Sequence, residues 1–160
     1  MQNVAARLRG RGKDERGFTL IELMVVVLII AILIAIAIPT FLGAKSRAQD
    51  KSAQSSLRNA LTNAKGIYTD SESYATATAA ALLAAEPSLT FNAAGVASTD
   101  PKMVSVSSPS ATVWVGSALS KSGTCFAIRD TITGPGTEFQ TVSGACTATN
   151  AAGGAWAAAW

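Results

Sequence analysis

From Leu23 to Ile38 every residue is apolar, and no comparable run recurs later in the chain. Widened to Phe18–Leu42, the stretch reaches the ~20 residues a helix needs to cross the hydrocarbon layer, with Glu22 as its one interior charge. Pro39 falls at the end of the run, where it removes one backbone hydrogen bond from a helix and crowds the preceding turn. Beyond it, Ala53, Leu57, Ala60, Leu61, Ala64, Ile67 and Tyr68 recur at the spacing of an amphipathic stripe, with Lys51, Gln54, Arg58, Asn63 and Lys65 off it. The pattern predicts one helix, kinked at Pro39 and resuming to about Thr69, about 52 residues in all and roughly 78 Å long at 1.5 Å per residue. Residues 18–42 form its transmembrane half and 43–69 its amphipathic half.

The remainder changes character. Tyr74–Ala85 is nearly all Ala, Thr and Leu and reads as either a short helix stopped by Glu86-Pro87 or irregular chain. Thr90–Pro101, with Asn92, Gly95, Ser98 and Asp100, reads as loop, so 70–101 is taken as a connection. Met103–Val106, Thr112–Val115 and Cys125–Ile128 read as short strands between Gly, Ser and Pro, and Glu138–Val142 as a weaker fourth. Short connections favour an antiparallel sheet over 102–147, one face of which covers the stripe ending at Tyr68. The expected fold is therefore α+β, a long N-terminal helix packed through its second half on a small antiparallel sheet. Ala148–Trp160 lacks periodicity and reads as a loose tail, with Trp156 and Trp160 available to dock on a neighbour or the whole end disordered as the alternatives.

Charge alters the picture only in where it sits. The first 17 residues hold five of the 13 basic side chains (Arg7, Arg9, Arg11, Lys13, Arg16) and two of the 10 acidic ones (Asp14, Glu15). They carry the whole net charge of +3, and the rest of the chain balances to zero. A basic excess confined to a short segment before a span is the mark of a cytoplasmic leader rather than of a nucleic-acid surface. Residues 43–160 are then extracytoplasmic. In that oxidising setting the two cysteines, Cys125 and Cys146, read as one disulfide, with two free buried thiols as the alternative. Such a bond fences a turn-rich loop, Thr131–Gly136, which has little means of ordering itself and is expected to lean on the staple.

Chemistry is sparse. With no histidine and two cysteines the chain lacks the ligands of a zinc site, and no cofactor is expected. Asp130 and Glu138 fall far short of the six to eight oxygens of a calcium site and read as solvated surface charges. Ala35-Ile36-Ala37 mimics a signal-peptidase site that would release a secreted enzyme, but the body has no nucleophile elbow, phosphate loop or metal-spaced acidic cluster. No catalytic residues are assigned, and neither an enzyme nor a tethered binding module has a distinguishing constellation.

Gly17-Phe18-Thr19-Leu20-Ile21-Glu22, behind a short basic leader and ahead of the span, resembles the processing site of type IV prepilins. The likeness extends through Pro39, and the sheet with a C-terminal cysteine pair is also similar to that family. The resemblance implies cleavage after Gly17 by a prepilin peptidase, methylation of the new Phe18 amine, and stacking of subunits into a homopolymeric surface filament by an assembly platform and its ATPase. It implies that Glu22 pairs with the Phe18 amine of a neighbouring subunit and sets the register, and that Pro39 marks a site of stretch. The residues themselves agree. Cleavage before the apolar segment retains the span, unlike an ordinary signal peptide, and removes the cationic anchor. An intramembrane carboxylate is costly and usually paired, although Glu22 also suits a helix N-terminus by its charge alone. Ala31, Ala35 and Ala37 let helices approach closely, so one helix serves as lipid-held tether and then as filament core. A type II secretion pseudopilin shares the leader and helix. The cysteine pair leans toward a pilin, because by family analogy major pseudopilins more often order that loop with calcium.

Overall fold

A computed structural model describes residues 17–160, and the basic leader at 1–16 lies outside the described residues. The chain forms two compact units, one ending at Thr40 and one running from Phe41 to Trp160.

In the first unit the backbone is helical from Leu20, where α1 (Leu20–Ser71) begins. It is the one helix among the described residues long and apolar enough to cross a membrane, and none of its apolar window is buried within the chain. Pro39 lies inside α1 without interrupting it. The Thr40 hydroxyl donates to Ala37 O at 2.9 Å and to Ile36 O at 3.3 Å, a back-bonding that supplies the turn next to the missing proline donor.

The second unit is built on the amphipathic half of α1. Ala53, Leu57, Ala60, Leu61 and Ala64 are buried in the core, with Ile67 and Tyr68 packed against it, so the stripe is the packed face. Gln54, placed off the stripe by its polarity, is buried too, its Oε1 accepting from Lys51 Nζ at 3.0 Å. Its own amide and the lysine stem screen it from water, which periodicity alone does not register. The helix stops at Ser71 because Glu72 turns to a left-handed φ of 53° and donates its N–H to Tyr68 O at 2.7 Å.

The expected connection over 70–101 is more ordered than its composition suggested. A 3-10 turn at Tyr74–Thr76 is followed by α2 (Ala79–Ala85), whose cap Thr78 accepts the Ala81 N–H and which ends at Glu86, ahead of Pro87. Thr90–Ala93, expected as loop, is strand β1, paired in parallel with β2 (Met103–Ser110). The sheet is therefore mostly, not wholly, antiparallel. Only Phe91 of β1 faces the core, and one large apolar residue among Thr90, Asn92 and Ala93 gives no alternation to read. The other strands, β3 (Val113–Leu119), β4 (Cys125–Thr131) and β5 (Gly136–Val142), follow as an antiparallel meander, with order β1-β2-β3-β4-β5.

Strand alternation assigns Val104, Val106, Trp114, Ala118, Phe126 and Ile128 to the core shared with α1. Val115 and Ala127 instead join a second cluster with Ala148 and Ala151 of α3 (Ala148–Ala152). The C-terminal segment, expected to be loose, thus packs on the sheet. Alanines let α3 lie close to the strands, the Ala148 N–H donates to Ser105 Oγ at 3.0 Å, and Gln140 Nε2 donates to Ala151 O. The tryptophans dock on their own chain rather than waiting for a neighbour. Trp160 Nε1 donates to Ala127 O and Gln140 O at 3.1 and 3.0 Å, and its ring stacks 4.4 Å from Phe139.

Cys125 and Cys146 are joined in a disulfide with Cα atoms 5.5 Å apart, fastening the start of β4 to the chain just before α3. The fenced segment is more regular than its turn-rich composition suggested. It is a regular hairpin paired from Cys125↔Val142 to Thr131↔Gly136, and Gly136 supplies the positive φ of 82° at its turn.

Gly116 shows how tightly β3 is packed. A Cβ there would stand 2.6 Å from Cη2 of Trp114, a ring with no solvent exposure. Gly→Ala in a strand ordinarily gains about 0.5–1 kcal/mol. Gly116→Ala is expected instead to lose about 1–3 kcal/mol through overpacking, read as a lower midpoint in thermal unfolding followed by tryptophan fluorescence. An unchanged or raised midpoint would show that the indole moves aside freely.

Candidate processing and assembly site

Gly17, Phe18 and Thr19 form a short non-helical lead into α1, and Phe18 is 79% exposed. Thr19 is the cap. Its N–H and its hydroxyl both donate to Glu22 Oε2, at 3.0 and 2.7 Å, while the Glu22 N–H donates to Thr19 Oγ1 at 3.2 Å. This reciprocal capping box satisfies two of the donors left over at a helix start and fixes Leu20 as the first helical residue. The Gly17–Phe18 peptide bond therefore lies in non-helical chain ahead of the helix. A Cβ at Gly17 would meet nothing within 4 Å, so this chain's own packing does not require glycine there.

Phe18 precedes the helix, so its four-residue separation from Glu22 is not a helical one, yet both border the same shallow groove with Ile21 and Val25. The Glu22 carboxylate is occupied within its own chain by Thr19. From Leu20 to Leu42 the large apolar side chains are all exposed, many of them more than half. Lateral burial of that surface has to come from outside the chain.

A second constellation was not foreseen. Asp130 was read as a solvated charge, but it is 3% exposed and lies at the inward end of β4. Its Oδ1 accepts from Lys65 Nζ at 2.8 Å and from Thr137 Oγ1 at 2.6 Å, and its Oδ2 from Tyr74 Oη at 2.7 Å. Burial by itself would raise the Asp130 pKa, but the three donors and the Lys65 charge outweigh it and hold the carboxyl below its ordinary value. Burial, then the hydrogen bond to Asp130 and its charge, push the Tyr74 phenol well up. The signal for this site was available in strand parity, since 126, 128 and 130 share one face and an inward aspartate needs partners. Glu138 pairs with Arg129, whose Nε donates at 3.0 Å, and that guanidinium lies 4.6 Å from the Trp156 ring. Among the described residues no three His, Cys, Asp or Glu side chains are grouped to hold a metal.

Residues 12–38 match the family model described as the prokaryotic N-terminal methylation motif, so the chain carries the type IV pilin/prepilin-like signal. The match takes in Gly17, Phe18, Glu22 and the first half of α1 up to Ile38. No curated protein and no solved structure matches the chain.

The depressed pKa of Asp130 has a definite sign. Its contribution to stability is complete above the ordinary aspartate value of about 3.9 and is lost as pH falls through the lower folded value. Asp130→Asn is expected to cost about 2–4 kcal/mol at neutral pH, since it removes a charge that three donors converge on. The difference should shrink in acid. Denaturant unfolding at pH 7 and pH 3 checks this, and a gap that does not narrow would refute the linkage.

Proposed function

We propose that the chain is the structural subunit of a type IV pilus, made as a membrane-held precursor. It is cleaved after Gly17 by a prepilin peptidase, methylated on the Phe18 amine, and polymerised through the first half of α1 into an extracellular filament. One observation carries the reading. The methylation motif runs through a helix whose apolar side chains are exposed all round, a surface suited to lipid first and to other copies afterwards. Between lipid and filament no water is shed, so association relies on close helix packing, and loss of the cationic leader frees the helix start from its cytoplasmic anchor. The non-helical backbone at 17–19 suits a peptidase, and the glycine requirement is assigned to that enzyme's site.

Glu22 has two tasks in this scheme. Before assembly it caps its own helix through Thr19, and in the filament it pairs with the Phe18 amine of a neighbour. The disulfide leans toward a pilin over a pseudopilin of a secretion system. An assembly platform and its ATPase would drive the stacking. Deletion of the gene separates the two: loss of surface fibres supports the pilin, and retained fibres with blocked enzyme secretion reverses the choice.

N-terminal sequencing with mass analysis is expected to find a mature chain starting at Phe18 and heavier by one methyl group. A bulky residue at Gly17 should leave full-length protein in the membrane. Two variants then separate cap from charge. Glu22→Gln keeps a capping side chain and loses the charge, so it should be processed but build few fibres, whereas Thr19→Ala keeps the charge and should assemble nearly normally after losing about 1 kcal/mol of local helix stability. Normal fibres from Glu22→Gln would sink the pairing role.

A further inference from the structure

We infer that the base of the second unit carries a binding site for the phosphate of an anionic phospholipid, used while the chain is held in the membrane. A groove of about 450 Å³ runs between α1 and two turns, with Lys45, Lys102 and Lys121 around it, Ala48 and Pro101 as its apolar wall, and Ser52 adding a hydroxyl. All three lysines are exposed. Among the described residues neither Lys45 nor Lys102 has an ion-pair partner, and Lys121 reaches Asp100 only at 3.9 Å.

The turns that present these lysines are held in place. Asp100 Oδ1 accepts the Lys102 N–H at 3.0 Å, and Asp100 O accepts the Met103 N–H at 3.0 Å. Ser122 Oγ donates to Asp50 of α1, which fastens the turn bearing Lys121 against the helix. The groove thus sets three cations against one carboxylate, Asp100, which lies beside Lys121, and keeps a net positive charge next to an apolar wall. That is the chemistry of a phosphate joined to a glycerol and acyl chains rather than of a free ion.

Depth selects the occupant. Phe41 and Leu42 are the last exposed apolar residues of the span, and Lys45 follows Leu42 by three residues, about 4.5 Å of helix rise. A bilayer of about 30 Å hydrocarbon and 40–45 Å overall leaves a headgroup layer of about 5–7 Å on each side, so a helix leaving the hydrocarbon at Leu42 sets Lys45, at the near end of the groove, at headgroup depth. Basic residues at that level attract anionic lipid. The inference rests on α1 crossing a membrane and does not need the filament.

The test uses the full chain, one copy per nanodisc, in an equal mixture of phosphatidylglycerol and phosphatidylcholine, with retained lipid read by native mass spectrometry. The wild type is expected to retain phosphatidylglycerol preferentially. The triple variant K45Q/K102Q/K121Q should lose that preference by roughly tenfold or more, the triple Lys→Arg variant should keep it, and Lys51→Gln, outside the groove, should leave it unchanged. Circular dichroism on each variant confirms that the fold is retained. Equal retention of the two lipids by the wild type, or undiminished selectivity in the glutamine variant, overturns the site. Displacement of the lipid by millimolar inorganic phosphate overturns the lipid as its occupant. Because single copies are read, a chain that never forms fibres can still pass, and one that forms them can still fail.

Discussion

Among the described residues the first half of α1 has nothing to lie against. Every other feature of the molecule is compatible with a monomer in water, and this one is not: a continuous cylinder of Ile, Leu, Val and Met must be covered by hydrocarbon or by other protein. With no polar face it cannot rest on a soluble domain by one side only, as the second half of the same helix does. The division at Thr40 is therefore chemical as well as spatial. The exposed segment begins at a Thr-Glu capping box, so its start is defined by its own side chains while its flanks wait for partners.

Two different devices hold the second unit together. Along the amphipathic half of α1 the contact is made by small side chains, Ala53, Ala60 and Ala64, which let helix and sheet approach closely around Leu57, Trp114 and Ile128. At its far end, apolar packing gives way to the buried Asp130 carboxylate, which gathers Lys65 from the helix, Tyr74 from the turn after it and Thr137 from β5. A buried ion pair of this kind gains little over a well-packed apolar substitute, but it accepts only one arrangement of its partners. That favours a fixed seating of helix on sheet at the end where the apolar stripe thins to Ile67 and Tyr68.

What the residues disclosed in advance follows from the length of each pattern. The span, the stripe from Ala53 to Tyr68, three of the strands and the cysteine pair all rest on repeats or compositions long enough to outweigh local exceptions. The failures are short or depend on tertiary partners. β1 has one inward apolar residue, so Thr90–Ala93 looks like loop until Met103–Val106 lies beside it. The Ala-rich tail has no periodicity because alanine carries little contrast, and its docking depends on Ser105, Ala127 and Gln140 far away in sequence. Asp130 was misjudged because charge was weighed before parity. At the processing site Gly17, Phe18 and Glu22 were legible from the motif, whereas the Thr19 bond to Glu22 was overlooked although Thr-x-x-Glu is itself a capping pattern.

The order in which the sheet is completed has a bearing on synthesis. The strands stand in the sheet in the order in which they are translated, and the piece that shields Val115 and Ala127 is α3, near the chain's end. Until α3 has docked, Val115 and Ala127 stay uncovered even if all five strands have paired, so one face of the sheet is closed by a segment that adds no strand to it.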